Sequence, residues 1–245
     1  SNWLMPTFKD FKLDELTAGD IDRGLIEIYE NGIPKRATDT GRLSERTVNG
    51  LHAAMNAVLS EAVRQGYIGT NPMREVQRFS AKPKERGILT ADELARLLDP
   101  DRALEVWHQG HYALMFRIAV TTGARQGEIR ALHREDVFPD HLLIRRSYDD
   151  VDGVTEDTKN GFSRTVPLHP SLYRDLYRWA LVCGISHGLL FPSPARPGEP
   201  IDRDSLLKNF RSALERAGIS RAAQRQRNIA YHGLRHAAAT LAVAA

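Results

Sequence analysis

Several function classes are excluded by what this 245-residue chain has little of. It holds one cysteine, Cys183, which rules out an intrachain disulfide framework and a cysteine-based zinc cluster. No apolar run approaches the ~20 residues that span a bilayer. The best candidate, Tyr112–Val120, is interrupted by Arg117. Nothing at the start resembles a signal peptide, so the chain reads as cytoplasmic. Lysine is scarce: of 34 basic residues seven are lysine and 27 are arginine. No tyrosine follows Tyr231.

What is present is a soluble composition with an uneven charge. The apolar fraction of 42% and the length allow one large domain or two small ones, each with its own core. Net charge is only +3, but from Ile201 to Arg235 eight basic residues face three acids. Arginine binds phosphate through a planar, permanently charged fork, so this run suggests a face for a polyanion. A solvated helix surface, or an arginine-rich genome, would produce the same composition.

The order of local signals predicts a mainly α fold with a small β-sheet or hairpin. Residues 1–80 read as a helical bundle. Leu13–Tyr29 carries one or two helices stopped at Asn31-Gly32. Ser44 caps a longer helix with Leu51, Met55, Val58, Leu59, Ala62 and Val63 on its apolar face. Gly66 ends that helix, and Asn71-Pro72 marks a turn. Residues 81–88 read as a basic linker, with Lys82, Lys84 and Arg86 able to lie along a phosphate backbone. A second, mixed α+β domain then fills 89–245. It opens on the capping-box pattern Thr90-Ala-Asp-Glu93, followed by a buried helix over Gly110–Val120 and a short one through Glu128–Leu132. Leu142–Ile144 begins strand territory, and Asp157–Leu168 reads as a hairpin turning at Asn160-Gly161. Helices follow over Ser171–Leu181 and Ser205–Ala217, and a last one runs from near His232 to Ala245.

Three places carry chemistry. Arg125 comes two residues after Gly123 at a helix start, where backbone N–H groups already favour phosphate, and Glu128 lies three residues on, within reach to hold it. Lys159 is the only lysine between Glu85 and Leu207. Unlike arginine, lysine can give up a proton, as a general acid at a leaving oxygen must. His232 and Arg235 are three apart on one helical face, a proton shuttle beside a charge that can stabilise a pentacoordinate phosphate. Singly, these read equally well as a surface ion pair, a turn lysine and a helix face. His232 with His236, and His108 with His111, have metal-like spacing, but neither pair has acidic support, and no metal is expected.

In order and spacing these residues resemble the tyrosine recombinases of the phage integrase family. Thr122-Gly-Ala-Arg-Gln-Gly-Glu-Ile129 is similar to the family's first arginine box. Thr158-Lys-Asn-Gly-Phe-Ser-Arg-Thr-Val-Pro-Leu168 is similar to its lysine hairpin, and His232-Gly-Leu-Arg-His236 to its His-x-x-Arg box. Residues 1–80 resemble its helical core-binding domain, notably at Leu43–Val48 and Gly66–Pro72. The resemblance implies site-specific DNA recombination (integration or excision) by strand cleavage and rejoining through a 3′-phosphotyrosine, without ATP, metal or other cofactor. It implies duplex DNA as partner, a tetramer on paired sites for the full-length protein, a fragment that is monomeric off DNA, and no membrane. Arg125 and Arg235 would bind the non-bridging oxygens, Lys159 would protonate the 5′ leaving oxygen, and His232 would assist proton transfer, with Glu128 and His236 in support. Lys82, Lys84, Arg86, Arg203 and Arg221 are the expected DNA contacts. The family's tyrosine lies beyond its His-x-x-Arg box, where this sequence has none. The expectation is therefore a chain truncated before its nucleophile and inactive in cleavage. The alternative is a truncated, non-cleaving DNA-binding relative.

Overall fold

The computed structural model describes residues 3–32, 42–82, 85, 87–150, 153–155 and 163–235. The chain forms two compact units, residues 1–83 and 84–245. In the first, α1 spans Leu4–Phe8, α2 Ala18–Asn31 and α3 Glu45–Arg64. Thr17 opens α2 by accepting from the Asp20 N–H while the Asp20 carboxylate accepts from the Thr17 N–H, and α2 stops at Gly32. Ser44 caps α3 through the Thr47 N–H, as expected. Ile21, Leu25 and Ile28 of α2 pack with Val48, Leu51, Met55 and Leu59 of α3. Val58 departs from the expected apolar face: it points to solvent, because the buried stripe runs through Leu51, Met55, Leu59 and Ala62 instead. The chain returns along α3 through side-chain bonds. The Asn71 amide donates to Asn56 Oδ1 (3.1 Å) and Ser60 Oγ (2.8 Å), and Asn49 both donates to and accepts from the Phe79 backbone.

The second unit holds α4 (Ala91–Leu98), α5 (Ala103–Trp107), α6 (Gly110–Thr122), α7 (Gln126–Arg130), α8 (Pro170–Val182), α9 (Arg203–Arg216) and α10 (Arg221–Gln226). Thr90 and Glu93 close the expected capping box on α4. α6 is the central element, with nine of its thirteen residues buried among Trp107, Phe191 and Phe210. The short helix begins and ends two residues before the position read from sequence, which puts Arg125 at its N-cap. α10 is an element that sequence reading passed over.

Two strand pairs are seen among the described residues. Strand β1 (His141–Ile144) pairs antiparallel with β4 (Arg164–Pro167), His141 opposite Pro167 and Ile144 opposite Arg164. A separate hairpin joins β2 (Ser147–Asp149) to β3 (Gly153–Thr155). The expected hairpin, with Lys159 and the Asn160-Gly161 turn, falls largely on residues 156–162, which lie outside the described residues. Leu142 and Ile144 bury one face of β1 against the core, and this fixes the register. The last helix expected from near His232 opens after a 3₁₀ turn over Tyr231–Gly233: Leu234 and Arg235 are α-helical, and residues 236–245 are outside the described residues.

Candidate active site

The loop carrying Arg125 is pinned before the arginine is reached. Thr122 Oγ1 donates to the Ile118 carbonyl (2.6 Å) and accepts from the Ala124 N–H (3.2 Å), while Gly123 turns the chain in the left-handed region at φ 63°. Glu128 then closes back on Arg125: its Oε2 accepts from the Arg125 N–H at 2.7 Å and its Oε1 from Nη1 at 3.0 Å. α7 sits hard against β2. A Cβ at Gly127 would lie 2.7 Å from both Ser147 Oγ and the Tyr148 carbonyl oxygen, closer than any side chain permits.

Glu128 is 2% exposed and serves more than Arg125. From β4, Arg164 grips the same carboxylate with both prongs, Nη1 to Oε1 at 2.9 Å and Nη2 to Oε2 at 2.6 Å. Burial alone would raise the Glu128 pKa; the Arg164 fork and the Arg125 N–H outweigh it, and the carboxyl is held below its usual range. The charge count at this point is two guanidiniums to one carboxylate. Arg125 spends a single side-chain N–H on Glu128 and is about one-quarter exposed, so among the described residues its other guanidinium donors are left to an anion. Arg164 lies within the Thr158–Leu168 motif, which assigns it no role. The available signal was its place five residues after Lys159, opening an alternating strand.

The second box hangs from the same helix that carries the first. The Tyr231 hydroxyl donates to the Met115 carbonyl of α6 (3.2 Å), and its ring lies edge-on to Phe210 of α9, 5.3 Å between centroids. Burial pushes the Tyr231 phenol well above its ordinary pKa, which leaves it an anchor and not a nucleophile. Met115 precedes Thr122, the end of α6, by seven residues, or ~10 Å along the axis at 1.5 Å per residue. Leu234 is buried, His232 is exposed and Arg235 is half-buried. Arg235 Nη1 is shut off from solvent and, among the described residues, has no hydrogen-bond partner.

The remaining expected residues separate. Lys159, His236, Lys84 and Arg86 lie outside the described residues. Lys82 is exposed. Arg203 opens α9 and lines a cavity with Arg130 of α7, Tyr148 of β2 and Asp150. Arg221 is tied to Glu215 at 2.6 Å and to Ser212 at 3.1 Å. His108 caps α5 at φ 59°, and His111 is buried, its ring against Tyr112 and Trp179. Among the described residues no group of three or more His, Cys, Asp or Glu could hold a metal ion.

The profile of the Phage integrase family matches residues 88–243. The chain belongs to that family. It is 27% identical over 219 residues to the integrase of Escherichia phage 186, covering 84% of this chain and 54% of that protein. It is 25% identical over 258 residues to a tyrosine recombinase XerC-like protein of Caldanaerobacter subterraneus subsp. tengcongensis, covering 94% and 61%. The chain thus spans little more than half the length of these relatives. Among solved structures, a lambda integrase dimer bound to a COC′ core site matches with a TM-score of 0.70 at 20% identity, covering 98% of this chain and 61% of that one. The Tn1549 transposon integrase in complex with transposon right end DNA matches at 0.71 and 17%, covering 96% and 75%. These likenesses show the fold, the mainly α architecture with small antiparallel sheets.

Proposed function

We propose that this chain supplies the phosphate-holding part of a site-specific DNA recombinase. Arg125 and Arg235 take the non-bridging oxygens of the scissile phosphate and stabilise the charge that develops on them. Glu128 fixes the position of Arg125. His232, exposed beside Arg235, moves a proton at the nucleophile, and Lys159 protonates the 5′ leaving oxygen, with His236 in support. The reaction breaks a phosphodiester and forms a 3′-phosphotyrosine; a 5′-hydroxyl then reverses the exchange, so the phosphoester energy is kept. The observation carrying this reading is a pair of arginines, one braced on a buried carboxylate and one with a buried, unpartnered Nη1, both attached to α6. Two relatives in the fold comparison are bound to DNA, and duplex DNA is the proposed substrate here, gripped on paired sites by a tetramer of the whole protein and by this chain as a monomer off DNA. With DNA as the substrate, the cytoplasm is the proposed compartment. None of the described helices is long and apolar enough to cross a membrane.

The last tyrosine in the sequence is Tyr231, and its hydroxyl is spent inside the core. The chain therefore binds duplex DNA, with affinity falling steeply as salt rises, and forms no covalent adduct with a nicked suicide duplex on a denaturing gel. Salt-insensitive binding, or none, removes DNA as the partner. A covalent band mapped to any of the seven tyrosines shows the nucleophile to be in this sequence after all.

A further inference from the structure

A second basic site lies where α9 turns into α10. A cleft of about 440 Å³ is lined by Arg211, Arg221, Gln224, Arg225, Asn228 and Ile229. Its walls are fixed by side chains whose bonds are already made. Gln224, 6% exposed, donates from Nε2 to the carbonyls of Arg211 (3.1 Å) and Ile219 (2.9 Å), locking α10 onto the end of α9. Arg221 is held by Glu215 and Ser212. Asn228, at φ 51°, donates from Nδ2 to the Glu85 carbonyl (3.1 Å). Arg211 and Arg225 are different: both are exposed, and among the described residues neither guanidinium has a partner. Three guanidiniums face one carboxylate, Glu215, and Ile229 is the sole apolar side chain of the lining. That chemistry rejects an apolar ligand and suits an anion with several acceptor oxygens.

We infer that this cleft seats a backbone phosphate of the same duplex DNA whose scissile phosphate the two boxes hold, with Arg211 and Arg225 as the contacting forks and Arg221 as their fixed neighbour. The inference rests on the DNA reading above and extends it to a site outside the catalytic boxes. Its location supports it. Asn228 precedes His232 by four residues, so the cleft wall lies at most ~14 Å of extended chain from that box. At 3.4 Å per step, that is within about four base-pair steps of the scissile position along one strand. Such a contact fixes the register of the duplex and reads no base.

The test is a fluorescence-anisotropy titration of labelled duplex DNA through a potassium chloride series. It compares the unmodified chain with Arg211→Ala, Arg225→Ala, the double variant and Arg102→Ala. Arg102 carries the same charge on α5, in the same unit, paired with Glu105. The slope of log K against log salt should shrink by about 0.9 for each cleft arginine and about 1.8 for the double variant, with Arg102→Ala unchanged. Arg211 and Arg225 make no side-chain bonds, so both variants should keep the original thermal midpoint. A double variant with the original slope, or an Arg102→Ala slope reduced as much, overturns the cleft while the DNA reading stands. Failure of the unmodified chain to bind any duplex overturns both.

Discussion

At the scale of residues, the site is organised around one carboxylate. Glu128 receives the backbone and side chain of Arg125 and both prongs of Arg164, and at 2% exposure it has no water to replace them. Glu128→Gln would leave two guanidiniums facing a neutral amide. A loss of about 3 kcal/mol is expected in urea unfolding, because breaking a buried pair strands its partners. Acidification acts on the same group. Its folded pKa is depressed, so its contribution is present above the ordinary carboxylate range and is lost as pH falls through the folded value. His111 adds a separate window. Burial lowers its pKa from 6.5 to about 4, so the unfolded chain binds a proton first and stability falls between those two pH values. The full effect is ~3 kcal/mol at about 1.4 kcal/mol per unit. His111→Phe, which loses no bond at the unpartnered Nε2, should flatten the stability curve in that interval only. Arg125, Glu128 and the His232–Arg235 box were legible because each lies in a short local pattern. Arg164 was not, because its partner is 36 residues away and only strand pairing brings them together.

At the scale of elements, the legible parts were those whose causes are local. Thr90 with Glu93 and Ser44 with Thr47 place helix starts through bonds within one turn, and the sequence pattern is the bond pattern. β2 closes on β3 across Asp152-Gly153, a local turn signal that the expected strands do not use, whereas the pairing of β1 with β4 joins segments twenty residues apart through contacts that no local pattern encodes. α10 was missed for the same reason: six residues long, it is held by Gln224 reaching back to α9 and not by an apolar stripe. The contact between α7 and β2 is the element-level feature that most affects the site. Gly127→Ala would push α7 away from the Tyr148 carbonyl and carry Arg125 with it. The urea midpoint should fall by the equivalent of about 1–3 kcal/mol with the m-value unchanged, in line with overpacking at a close contact.

At the scale of the whole molecule, two independently cored units divide the chain, and the family profile covers nearly all of the second. The fold positions the two arginine-bearing boxes from a single buried helix, the C-terminal end of α6 delivering Arg125 and its middle anchoring Tyr231 ahead of Arg235. In the proposed function these arginines stabilise a reacting phosphate and do not merely bind DNA. The direct measurement uses the chain extended by a C-terminal segment that carries a tyrosine. Cleavage of a suicide duplex and equilibrium binding to the same duplex are measured for Arg125→Ala and Arg235→Ala. Each variant should cleave on the order of 10²-fold more slowly, the loss typical of one oxyanion donor, while binding weakens only a few-fold. Equal losses in cleavage and binding would contradict the account and leave both residues as ordinary phosphate anchors.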